Sequence, residues 1–133
     1  MKQATLKASN VLNRDFTIKD TGANVKILAV SLNKVFGATN KLDAEVEKGK
    51  NHTWVDYSLV IADQVYSGLV ELLHLDKEDA KKLEENMSYS EVFDFYKKMV
   101  NDFLQMEVPE VNTLNLDSTE NEGEKQDPKE QED

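Results

Sequence analysis

Between Thr53 and Leu73 the chain reads TWVDYSLVIADQVYSGLVELL, with hardly any polar face. Placed on a helix at 100° per residue, Trp54, Val55, Leu59, Ile61, Ala62, Val65, Tyr66, Leu69, Val70, Leu72 and Leu73 cover roughly 220° of the circumference, against about 100° for an ordinary surface helix. Asp56, Asp63, Gln64, Ser67 and Glu71 share what is left. A segment this apolar is expected to be central, packed on more than one side, and other helices must supply its partners. Thr53-Trp54-Val55-Asp56 has the form of a helix-start box. Gly68, in mid-helix, reads as a point of close helix packing.

The neighbouring segments supply candidates. Val25, Leu28, Leu32, Val35 and Phe36 recur at helical spacing, with Asn24 as N-cap and Gly37 as the left-handed residue that ends the helix. Residues 38–52 then read as a polar loop, with at most a turn of helix around Leu42 to Val46. Asp76 caps a shorter surface helix that ends near Asn86 and is anchored by Ala80 and Leu83. Ser88-Tyr89-Ser90-Glu91 is a capping box for a last helix running to about Met106, and Pro109 forbids its continuation. At the N-terminus, Asp15 to Lys19 alternates apolar and polar residues and suits a short strand, which Ala4 to Lys7 can pair. The alternative there is an irregular arm holding Leu6, Val11 and Leu12. The fold class is mainly α: about four helices in a body of residues 1–108, a short N-terminal strand or hairpin, and a disordered acidic tail over 109–133.

Charge divides the chain the same way. From Glu107 onward there are ten acids and two lysines; the remaining 16 acids and 14 lysines and arginines leave the body near neutrality. Without a basic excess there is little counterion release to drive nucleic-acid binding. The chain has no Cys, which removes disulfides, thiol nucleophiles and Cys-based zinc sites. No apolar h-region opens the chain and no run reaches the roughly 18 residues of a membrane span, so neither a signal peptide nor a membrane anchor is expected. No GxSxG, GxGxxG, HExxH or phosphate-loop motif is present, and His52 and His74 lack metal-ligand spacing. No catalytic residue, cofactor or metal is assigned, and an enzyme is not expected.

What remains is surface. On the last helix Tyr89, Val92, Phe93, Phe95, Tyr96, Met99, Val100, Phe103, Leu104 and Met106 span roughly 180° by the same arithmetic. The centre of that arc, Val92, Tyr96, Met99 and Phe103, is expected in the core. The edges, Phe95 and Met106 on one side and Phe93 and Leu104 on the other, are the candidate lining of a groove for a helical partner. The competing reading is a helix sandwiched between two neighbours, with no groove.

The order of elements resembles the tail assembly chaperones of long-tailed, siphovirus-type phages of Gram-positive bacteria. The resemblance covers roughly residues 15–108. It rests on DFTIKD, NVKILAVSLNKVFG, DYSLVIADQVYSGLVELL, the spacer LDKEDAKKLEEN and the final SYSEVFDFYKKMVNDFLQM, followed by an acidic tail. The N-terminus departs from it in lacking a clear hairpin turn. The resemblance implies a non-enzymatic protein that binds the long, apolar, helical tape measure protein and keeps it in solution until tail tube protein polymerises around it. It further implies action in the host cytoplasm during infection and absence from the mature virion. The oligomeric state is left open, a homo-oligomer included. A competing class is an acidic inhibitor or DNA mimic, whose warrant is net charge alone. Residues 117–133 hold no large apolar side chain, so a chain ending at Leu116 should keep its melting temperature within a few degrees in a calorimetric scan.

Overall fold

The computed structural model describes residues 1–110; the proposed tail lies outside the described residues from 111 onward. The architecture is mainly helical with a two-stranded antiparallel sheet. Strand β1 (Gln3–Leu6) pairs with β2 (Phe16–Lys19) in the register Thr5 opposite Thr17. Ala4 and Leu6 point into the core with Phe16, while Thr5 and Thr17 face outward and bond through their hydroxyls at 2.9 Å. No two-residue turn joins the strands, because the connection holds a single helical turn, α1 (Ser9–Leu12). Asp15 accepts from the Ala8 N–H, the Ser9 N–H and the Ser9 hydroxyl, which fixes that turn and holds its carboxyl below the usual range, the Ser9 hydroxyl acting most strongly.

Helix α2 (Gly22–Glu47) is longer than the residue pattern suggested and contains no loop at 38–47. Thr21, not Asn24, is its N-cap: the Thr21 hydroxyl accepts the Asn24 N–H, and the Asn24 side-chain amide donates instead to the Lys19 carbonyl. Gly37 does not end the helix. The apolar row Leu28, Leu32, Val35 and Leu42 continues past it into the core, and burying Leu42 outweighs the roughly 1 kcal/mol that a mid-helix glycine costs. Helix α3 (Trp54–Leu73) runs back along α2 and opens on a complete capping box, Thr53 with Asp56. Its C-cap is His74 in the left-handed conformation. Helix α4 (Lys77–Asn86) is capped by Asp76 and buries Leu83. Helix α5 (Tyr89–Met99) starts on Ser88, whose hydroxyl accepts the Glu91 N–H. It continues as a π-helical turn, Val100–Leu104, closed by left-handed Gln105. Among the described residues no helix is long and apolar enough to cross a membrane.

Three helices meet at one point. Ser31 of α2 and Tyr96 of α5 share a buried hydrogen bond of 2.7 Å, and Gly68 of α3 lies against both. A Cβ on Gly68 would sit 2.0 Å from the Ser31 Oγ and 2.8 Å from its Cβ. Rotating the hydroxyl away would break the bond to Tyr96 and still leave the second clash, so the backbones themselves would have to part. Gly37 has nothing within 4 Å of such an atom and lies within the same helix as its neighbours. Gly68→Ala should therefore cost at least about 2 kcal/mol through overpacking, whereas Gly37→Ala should stabilise by up to about 1 kcal/mol. Urea unfolding of the two variants followed by circular dichroism measures both signs.

Candidate interaction surface

The apolar arc of the last helix is almost wholly used by the body. Val92, Tyr96 and Met99 are fully buried, as expected for its centre, and Phe103 is half-buried. The two edges differ from the groove lining expected of them. Phe93 is buried: Tyr89 stacks on it at 5.6 Å, Tyr66 of α3 reaches Tyr89 at 6.0 Å, and the Lys97 ammonium lies 5.5 Å from the Phe93 ring. Burial pushes the Tyr89 hydroxyl up to about 12. Phe95 is buried because β1 lies against α5 and covers that edge. Leu104 is half-buried against the core. Met106 alone of the four stays exposed, beyond the π-helical turn, where its N–H bonds back to the Val100 carbonyl. The extra residue in that turn breaks the 100° phase on which the edge assignment depended. The four candidates therefore form no continuous surface.

Exposed apolar surface collects elsewhere, at the end of the α2–α3 hairpin. Trp54, Val55 and Leu59 are 63, 51 and 56% exposed, and Val46 across the loop is 44% exposed. Helical phase places these at core-type positions, which the described residues leave largely uncovered. Trp54 precedes buried Ser58, Ile61 and Val65 on one row of α3, and Val55 and Leu59 precede Ala62 and Tyr66 on the next. Val46 likewise ends the row of Leu28, Leu32, Val35 and Leu42. The bare positions follow from lengths. Helix α2 is about 39 Å long and α5 about 17 Å. Val46 lies about 22 Å along α2 from Ser31, where α5 is fastened. A helix that short does not reach so far.

Polar bonds fix the tip. The Tyr57 hydroxyl donates to Asp43 at 2.7 Å, a bond that raises its pKa. His52, in the loop, lies between carboxylates of both helices: Nε2 is 2.5 Å from Glu45 Oε1 and Nδ1 is 3.1 Å from Asp56 Oδ2. The bond to Glu45 first, then that to Asp56, raises the imidazole pKa above its ordinary 6.5. The Glu45 carboxyl is lowered chiefly by His52, and that of Asp56 by the Thr53 N–H and then His52. A polar loop over residues 38–52 would leave no such cluster; only a helix that persists to Glu47 brings Glu45 to His52.

Both ring nitrogens of His52 are engaged by carboxylates, and no group of three or more potential ligands suited to an ion occurs among the described residues. An open groove of about 790 Å³ lies between α2 and α3, lined by Val30, Lys34, Gly37 and Lys41 of the first and Val60 and Asp63 of the second. Its two lysines are balanced by Asp63 and Glu45, so it selects for neither sign of charge. In comparisons with known proteins, no family model, no curated protein and no solved structure matched the chain.

The two kinds of apolar residue should respond oppositely to truncation. Phe93→Ala and Phe95→Ala should each cost about 3–5 kcal/mol, the range for a large buried ring. Trp54→Ser and Leu59→Ser should change stability by no more than about 0.5 kcal/mol. Denaturant unfolding monitored by far-ultraviolet circular dichroism separates the two sets.

Proposed function

We propose that the chain is a phage tail assembly chaperone that binds the tape measure protein and keeps it in solution during tail morphogenesis. The observation that carries this reading is the exposed apolar end of the α2–α3 hairpin: Val46, Trp54, Val55 and Leu59, core-type positions that the described residues leave largely uncovered. The order of helices, on which the resemblance to such chaperones rests, supports it. A helical client can lay its apolar face along the Val55–Leu59 row and cover the Trp54 ring, the helix-on-apolar-surface mode of recognition with an aromatic anchor. The acidic stretch after Glu107 would keep a complex with an apolar client dispersed. In this role the protein works in the host cytoplasm, leaves before the virion is complete, and hands the client to the tail tube protein.

Co-expression with the tape measure protein tests the reading. The chain should raise the soluble yield of the client and co-purify with it, and the complex should survive about 0.5 M salt, because apolar burial is not screened. The paired change Trp54→Ser with Leu59→Ser should weaken binding by about 2 kcal/mol or more, roughly 30-fold, in a calorimetric titration. Loss of the complex in salt together with indifference to those substitutions would favour the charge-based inhibitor instead.

A further inference from the structure

We propose that His52 is a proton-operated clasp that holds the α2–α3 loop, and with it the apolar tip, in place. The inference rests on the clasp's geometry and stands whether or not the client is a tape measure protein. A neutral imidazole carries one N–H and one lone pair. Here both ring nitrogens meet carboxylate oxygens, Glu45 at the end of α2 and Asp56 at the start of α3. Only the imidazolium can donate to both. Lys50 in the loop and Lys41 on α2 are the cations acting on Glu45; Asp56 also accepts the Thr53 N–H, a bond that does not depend on the ring.

Deprotonation therefore leaves a lone pair facing one of the two acids and undoes half of the bridge, while Thr53 and Asp56 still start α3. Trp54 and Val55 follow His52 by two and three residues, so the apolar tip gains freedom when the ring loses its proton. The direction follows from linkage: a group whose folded pKa is raised contributes fully below about 6.5, and the contribution disappears as pH rises through the folded value. The two carboxylates, lowered in the fold, set the other limit, and their contribution falls away as acid protonates them. The clasp is closed between these limits, a range that includes the weakly acidic side of neutrality.

Trp54 is the sole tryptophan and lies two residues from His52, so its fluorescence anisotropy reports on the loop. In the full chain, anisotropy should fall in one step as pH rises, with a midpoint above 6.5. Glu45→Gln should lower the midpoint, His52→Gln should abolish the step, and His74→Gln, at the far end of α3, should leave it in place. A flat profile, a step that persists in His52→Gln, or a midpoint that ignores Glu45→Gln would overturn the proposal. Should a variant fail to fold, the imidazole protons of His52 in the unaltered chain decide by NMR. Titration above 6.5 supports the clasp, and titration at or below 6.5 refutes it.

Discussion

The contact of Gly68 with Ser31 and Tyr96 determines how the rest of the molecule is arranged. It lets α2 and α3 approach more closely than any side chain at position 68 would permit, and it fastens α5 across them through one buried hydrogen bond. An unpaired hydroxyl in that location would cost about 1–3 kcal/mol, so Ser31 and Tyr96 specify each other. The position of α5 then decides which apolar residues of the hairpin are covered. Ile61, Val65, Leu69 and Leu72 are buried, whereas Trp54, Val55 and Leu59 extend past the end of the cover. The β-hairpin closes the Phe95 side of α5, and the Tyr66–Tyr89–Phe93 stack with Lys97 closes the other. Among the described residues, exposed apolar side chains therefore cluster at the hairpin tip, with Met1, Val30 and Met106 as scattered exceptions.

This division gives the hairpin tip unusual properties for an exposed apolar patch. It is carried by two helices packed along their length rather than by a loose loop, and its connection is fixed by Tyr57 with Asp43 and by His52 with two acids. A docking surface that is already ordered loses little conformational entropy when it binds. A client with a long run of apolar helix can use such a surface repeatedly along its length, which suits a chaperone better than a tight one-to-one inhibitor. Charge plays the smaller part: the body is close to neutral, and the groove beside Lys34 and Lys41 is offset by Glu45 and Asp63.

Local chemistry was readable in the sequence. The caps at Thr53, Asp76 and Ser88, the close approach at Gly68, and the antiparallel pairing of the N-terminal segments all depend on residues a few positions apart or on simple alternation. Gly37 misled because a glycine after an apolar row is a common stop signal, and only the burial of Leu42 one turn later shows that the helix continues. Phe93 and Phe95 misled for a different reason. A helical arc tells which way a side chain points, not what lies opposite: Tyr66 of α3 completes the stack over Phe93, and a strand some ninety residues upstream lies against α5 on the Phe95 side. The same limit hid the tip: Trp54, Val55 and Leu59 point as core residues do, and only the length of α5 leaves them bare. The π-helical turn at Val100–Leu104 has no sequence signature at all.

The molecule concentrates its exposed apolar surface at the α2–α3 tip and not along the last helix. Hydrogen exchange of the chain alone and with the tape measure protein, read segment by segment, addresses this directly. The client should slow exchange across residues 43–62 and leave residues 88–106 as they were. Slowing confined to residues 88–106, with the hairpin tip unchanged, would contradict it.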